Sequence, residues 1–294
     1  MTAQPTNCGQ GLVVTRFAPS PTGKLHSGHA WSAILAHDRA RAAGGRFLVR
    51  IEDIDATRSR DGHVETILTD LAWLGLTWDG PVMRQSARLA VYAGALDRLA
   101  AAGLVYPCFC TRAEIAASAS APHGEAAVVY PGTCRGRVAP DLAQPHCRRL
   151  DMARAAAAAG PLDWSDHGAR IAATPLDHGD VVLARRDAPA SYHLAVTIDD
   201  AAQGVTDIVR GADLIAATHV HRLLQALLGL PTPRYHHHAL LRDAAGARLA
   251  KRTGARSLES MRLAGEDGAA LAARLRAHQR EPTSDACRYS SSSS

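Results

Sequence analysis

Apolar positions in this chain come in short blocks, and the period within the blocks changes along the sequence. Gly11–Val14 is a compact apolar run that predicts a strand. Ala30–Ala43 carries apolar residues at helical spacing and closes at the breaker pair Gly44-Gly45. Arg46–Ile51, apolar at its centre, predicts a second strand. Together they form a βαβ unit, whose crossover is right-handed. Asp61–Leu74 and Leu89–Ala102 read as amphipathic helices, the second ending at Gly103, and Met152–Ala159 as an alanine-rich helix. Val181–Leu183 and Leu194–Ile198 predict strands that return to the main sheet. Val205–Leu214 holds a further apolar strand and a Gly-Ala-Asp turn. Thr218–Leu228 predicts a helix ended by Gly229, and Ala239–Leu241 a last short strand. A charged loop, Gly246–Arg256, precedes helices from Ser257 to about His278, and the tail from Arg280 ends in five serines. Cys108–Cys147 breaks the pattern: it is rich in Gly, Pro and Cys and has little periodicity, as expected of an inserted, metal-stapled module. The expected division is a first half of an α/β domain over 1–107, an insertion over 108–190, a second half over 191–256 and a helical end over 257–294.

Size and composition narrow the class. The 294 residues are 47% hydrophobic and 21% charged, an ordinary globular balance. No apolar run approaches the roughly 18 residues of a membrane span. Met1–Gln10 lacks the basic start and apolar core of a signal peptide, so the expectation is a cytoplasmic protein with no membrane partner. The net charge of +5 is compatible with a polyanionic partner. All but two of the basic residues are arginine; the exceptions are Lys24 and Lys251. An ammonium is a point charge that follows a moving phosphate in a way a planar guanidinium does not, so both positions stand out.

The densest chemistry lies in Arg16–His29 (RFAPSPTGKLHSGH), a Pro/Gly-rich loop between the first strand and the first helix. A helix N-terminus presented in this way receives phosphate, and His26 and His29, three apart, share one face of it. Cys108, Cys110 and Cys134 fall within 27 residues, and three thiolates suit tetrahedral zinc. On donor chemistry alone, His123 or Cys147 is a better fourth ligand than a phenol. Consecutive side chains of His236-His237-His238 diverge, so they are expected at a strand edge or on the surface rather than on one metal.

The loop resembles the first signature of class I aminoacyl-tRNA synthetases, and within that class the glutamyl branch. Arg50-Ile51-Glu52-Asp53-Ile54-Asp55 with Thr57-Arg58, Asp199–Thr206 (DDAAQGVT) and Val209–Leu214 (VRGADL) strengthen the match, which covers roughly residues 12–255. Only about 40 residues follow the Lys251 loop, where glutamyl-tRNA synthetases carry a large anticodon-binding portion. The chain therefore resembles the truncated paralogue family, the glutamyl-queuosine tRNA(Asp) synthetases. That resemblance implies a Rossmann-type parallel-sheet catalytic domain with an inserted zinc module and no anticodon-binding domain. It also implies a ligase that activates L-glutamate with ATP and Mg2+ and attaches it to queuosine in the anticodon of tRNA(Asp). A compact glutamyl-tRNA synthetase charging a 3′ end, and an inactive tRNA-binding paralogue, are the alternatives. A monomer is expected.

Carried over residue by residue, the resemblance implies that His26, Gly28, His29 and Lys251 serve ATP, with His26, His29 and Lys251 catalytic. It implies that Arg16, Phe17, Ala18, Pro19, Ser20, Glu52, Tyr192 and Arg210 bind glutamate. Arg16 and Arg210 would each clamp a carboxylate, and Glu52 would face the ammonium. It favours Tyr130 as the fourth ligand of a structural Zn2+ with Cys108, Cys110 and Cys134. The family's lysine-rich loop is altered: Arg248 and Ala250 stand where it has lysine and serine, while Lys251 is kept.

Overall fold

The computed structural model describes residues 11–111, 113–115, 129–186, 188–241 and 256–278. The charged loop with Arg248, Ala250 and Lys251, the alternative ligand His123 and both chain ends lie outside them.

The first βαβ unit is present, shifted into the signature loop. Strand β1 spans Val14–Phe17, helix α1 Ser27–Ala42 and strand β2 Arg46–Ile51. β1 pairs parallel with β2 from Val14↔Arg46 to Phe17↔Val49, and β2 pairs parallel with the short β3, Met83–Arg84. Arg16 and Phe17 thus belong to the strand, because parallel pairing carries the chain three residues past the apolar run. Their burial needs partners: the Thr15 hydroxyl donates to Ala36 O at 2.7 Å, and Arg16 finds a carboxylate. Helices α2 (Asp61–Trp73) and α3 (Leu89–Ala101) follow near their expected positions.

β9 (Asp207–Gly211) continues the fold beside β1. Val14 N donates to Thr206 Oγ1 and Thr206 N donates to Val14 O, both at 2.9 Å. β10 (Arg234–His238) pairs parallel with β9, and a hairpin of β6 (Asp163–Asp166) and β7 (Ala169–Ala172) extends the same four-stranded sheet. A part of the segment expected as insertion is therefore built onto this sheet. A separate antiparallel sheet of β4 (Val105–Cys108), β5 (Cys147–Leu150) and β8 (Val182–Ala184) carries the cysteines.

Several expectations fail for identifiable reasons. Leu194–Ile198 is helical, within α5 (Tyr192–Ala202), which follows α4 (Met152–Ala159). Its apolar run is buried on every side and so shows no helical period, and the signal overlooked was Ser191, whose side chain caps Leu194 N. Val182–Ala184 joins the small sheet rather than the main one. The last strand among the described residues is Arg234–His238, not Ala239–Leu241; its polar residues hide the strand pattern. His236 and His237 are buried in that strand, which contradicts a strand-edge or surface position. The His236 ring meets Asp207 at 2.9 Å, and the His237 ring faces Asp166 at 3.2 Å.

One core lies under α1, β2, α2 and the C-terminal helices α7 (Leu258–Leu263) and α8 (Gly268–His278). A second joins α3, α4, α5 and α6 (Ile215–Leu228). The C-terminal helices are fastened to the signature loop: Leu258 N donates to Leu25 O at 2.9 Å, and Lys24 pairs with Glu259.

Candidate functional site

Parallel α/β sheets open a crevice at the carboxyl ends of their strands where neighbouring connections diverge. Here that place lies between β1 and β9. A cavity of about 450 Å3 is lined by Arg16, Phe17, Ala18 and Ser20 from the first loop, His26, Gly28 and His29 from the start of α1, and Glu52, Tyr192 and Arg210. Pro19 is not among its walls; it is buried, and its carbonyl accepts from Glu52 N at 3.0 Å, which fixes where Glu52 emerges. Trp31, Ser32, Asp213 and His238, which have no role in the sequence reading, also line it.

The N-terminus of α1 is closed by its own histidines. His26 Nδ1 accepts from Gly28 N at 3.1 Å, and His29 Nδ1 accepts from His26 N at 3.2 Å, a reciprocal cap. A backbone N–H only donates, so each neutral ring carries its proton on Nε2. The two rings, 3.8 Å apart between centroids, present donor nitrogens at the positive end of a helix, an arrangement suited to phosphate oxygens.

Arg16 and Arg50 meet on one carboxylate. Arg16 Nε and Arg50 Nη1 each donate to Asp200 Oδ1 at 2.8 Å, and Arg50 also reaches Gln203 Oε1 at 2.8 Å and Glu52 Oε1 at 3.3 Å. Asp199 beside it accepts from Gln85, Arg88 and Tyr92. Burial pushes the Glu52 carboxyl up, against the pull of Arg50 and Arg16. Asp200 and Arg50, unassigned from sequence, thus set the charge of the site; the Asp-Asp pair at the end of α5 was the signal.

Arg210 is held differently. Its Nε donates to His237 Nε2 at 3.1 Å, its Nη1 to His221 Nδ1 at 3.3 Å and Tyr192 Oη at 3.5 Å, and its Nη2 to Leu214 O at 3.2 Å and Thr218 Oγ1. No carboxylate among the described residues takes a hydrogen bond from it. Asp207, on the same strand, is taken up by Arg39, Arg234 and His236. Gly211 lets the chain turn under the cavity, since a Cβ there would lie 2.5 Å from Asp213 Oδ1 and 2.8 Å from Leu240 Cδ2.

A larger cleft of about 980 Å3 adjoins this cavity and shares Ser20, Glu52 and Tyr192 with it; Arg58, Arg149, Arg185 and Arg186 line its other sides. At its edge lie the thiols. The sulfurs of Cys108, Cys110 and Cys134 fall within 4.8 Å of one another, with 3.6 Å between Cys110 and Cys134. The Tyr130 oxygen is 3.3 Å from Cys108 Sγ and 3.6 Å from Cys110 Sγ. Tetrahedral bonds of about 2.3 Å to sulfur and about 2.0 Å to oxygen give sulfur–sulfur and sulfur–oxygen edges near 3.8 and 3.5 Å. The four groups therefore fit one such ion. Cys147 falls outside that cluster; it donates to Cys108, whose thiol is lowered to about 4 by this bond first and then by Tyr130 and Arg149, against burial.

The chain matches the family model for the catalytic domain of class I tRNA synthetases (E and Q) over residues 12–280. It is 54% identical over 266 residues to a glutamyl-Q tRNA(Asp) synthetase of Rhodobacter capsulatus, covering 86% of this chain and 96% of that protein. A protein of the same name from Geobacter sulfurreducens is 45% identical over 271 residues, covering 91% and 84%. A solved glutamate-tRNA synthetase from Elizabethkingia anophelis aligns with a TM-score of 0.70 at 28% identity, over 83% of this chain and 53% of that one. The chain thus spans about half the length of that solved structure.

Proposed function

This chain belongs to the class I tRNA synthetases of the glutamyl and glutaminyl group, and from that premise we propose that it activates L-glutamate with ATP and transfers it to queuosine in the anticodon of tRNA(Asp). The observation that carries this reading is that one cavity joins an end lined by Arg16, Glu52, Tyr192 and Arg210 to the N-terminus of α1 with His26 and His29. Around the first end Asp200 pairs with Arg16 and Arg50 and Glu52 with Arg50, while Arg210 donates to no carboxylate among the described residues. Glutamate brings two carboxylates and one ammonium to such an end.

In the proposed reaction Arg210 receives a carboxylate, with the Tyr192 hydroxyl beside it, and Glu52 faces the ammonium. Arg16, aimed by Asp200, and Ser20 border the reacting carboxylate. An oxygen of that carboxylate attacks the α-phosphorus of ATP in line, the α–β phosphoanhydride bond breaks, and pyrophosphate leaves with Mg2+. His26 and His29 hold the phosphates by their Nε2 donors, and Gly28 keeps the wall open to the nucleotide. Lys251, outside the described residues, contacts the phosphates in this reading. A hydroxyl of the acceptor then attacks the glutamyl carbonyl and AMP departs. The acceptor enters through the larger cleft, whose wall at Ser20, Glu52 and Tyr192 is shared with the glutamate end and whose arginines suit a polyanion. Cys108, Cys110, Tyr130 and Cys134 hold a structural zinc that stiffens the side of this cleft. The division at residues 107, 190 and 256 is kept as the working description of the chain. No helix of the described residues is long and apolar enough to cross a membrane, and a cytoplasmic monomer is proposed.

The test uses labelled glutamate, ATP and tRNA(Asp) with and without queuosine. Label is expected only with queuosine, on the anticodon fragment after nuclease digestion. Label on a 3′-terminal fragment or on tRNA(Glu) favours the ordinary synthetase, and no label on any tRNA overturns both.

A further inference from the structure

Arg210 carries only donors, so it sets the direction of each hydrogen bond around it. His221 Nδ1 must accept from Arg210 Nη1, which leaves the proton of the neutral ring on Nε2. That nitrogen is 3.1 Å from His193 Nδ1, which must accept in turn. The proton of His193 is therefore on Nε2. No hydrogen-bond partner from the described residues meets that nitrogen, which is not a buried orphan, and the ring lines the larger cleft. Both rings are uncharged near neutrality. Burial first, then Arg210, holds His221 well below its usual range; burial, Arg210 and His178 hold His193 at about 4. Tyr192 packs against both rings, with centroids 5.7 Å from His193 and 5.4 Å from His221.

We infer that His193 is a specificity-determining residue for the acceptor, its Nε2–H a donor of fixed direction that binds a hydroxyl or carbonyl oxygen of the incoming nucleoside. His221 is the positioning residue: it links this donor to the arginine that binds glutamate. A histidine free to exchange tautomers would present a donor or an acceptor; this one presents only a donor. The inference rests on the proposed function, because it takes the occupant of the cleft to be the nucleoside that is glutamylated.

The test compares His193→Phe and His193→Gln with the unaltered protein, measuring KM and kcat for queuosine-containing tRNA(Asp) and KM for glutamate in pyrophosphate exchange. Phe keeps a ring and removes both nitrogens; Gln can accept from His221 through its oxygen and donate to the cleft through its nitrogen. His193→Phe is expected to raise KM for the tRNA about tenfold, the loss of one hydrogen bond, and KM for glutamate by a smaller factor. His193→Gln is expected to return the tRNA KM to within about threefold of the unaltered value. Equal tRNA KM in the Phe variant, or a Gln variant as impaired as Phe, overturns the inference and leaves the proposed function standing. Failure of the unaltered protein to label queuosine tRNA overturns the function and the inference with it.

Discussion

The two arginine clusters around the smaller cavity hold their cations by opposite means. Arg16 and Arg50 share Asp200, with Glu52 and Gln203 completing the shell, so the guanidinium charges are balanced within the protein. Arg210 is surrounded by two imidazoles, two hydroxyls and a carbonyl, which satisfy its donors and leave its charge uncompensated. Buried charge is costly unless paired, so the first arrangement serves the fold and sets direction. The second keeps attraction in reserve for an anion from outside, held in place by polar groups that do not compete for it.

The comparison breaks most visibly at Asp200. Asp200→Asn leaves two buried guanidinium groups without their shared counter-charge and is expected to cost about 3–5 kcal/mol of stability, a fall of roughly 10 °C in thermal unfolding. A melting temperature within about 2 °C of the unaltered protein would show that the balanced end is not what holds the strands together. Arg210→Gln tests the other end, where the penalty should fall on the ligand. KM for glutamate in pyrophosphate exchange is expected to rise roughly a hundredfold, about 3 kcal/mol, with a smaller loss of melting temperature than Asp200→Asn causes. Equal loss of stability in the two variants would erase the distinction. The smallest effect concerns Glu52. Its pKa is raised by burial, and an ammonium binds the ionised form, so affinity is present above that pKa and lost as pH falls through it. KM for glutamate should climb toward acid pH by at most about tenfold per unit, and Glu52→Gln should flatten that limb from an already weaker baseline. A profile that keeps its slope in this variant assigns the titration to another group.

The first βαβ unit, and the residues Arg16, His26, His29, Glu52, Tyr192 and Arg210 that line one cavity, were legible because each lies in a short run with its own chemistry. Much of the framework holding them was not. Arg16 and Asp200 are 184 positions apart, and nothing local says that one neutralises the other. His237 was expected at a strand edge or on the surface and His221 carried no expectation, because both are buried against Arg210, which reaches them from another element. The strand through His236 was missed because its side chains are polar, and the helix through Leu194 was misread because its apolar run is buried all round. In both cases tertiary surroundings overrode local pattern. Cys147, attractive by its chemistry, lies opposite Cys108 in the ladder and donates to it, but is not grouped with all three thiols.

The reach from Arg16 to Asp200 also bears on how the protein comes to be folded on the ribosome. The signature loop emerges well before the carboxylate that neutralises Arg16, which is made 184 residues later, and β9 and β10 follow later still. Contacts of such separation form slowly and late. The nascent chain therefore carries a finished motif and an unfinished pocket through most of its synthesis, and substrate can be held only after the second half has arrived.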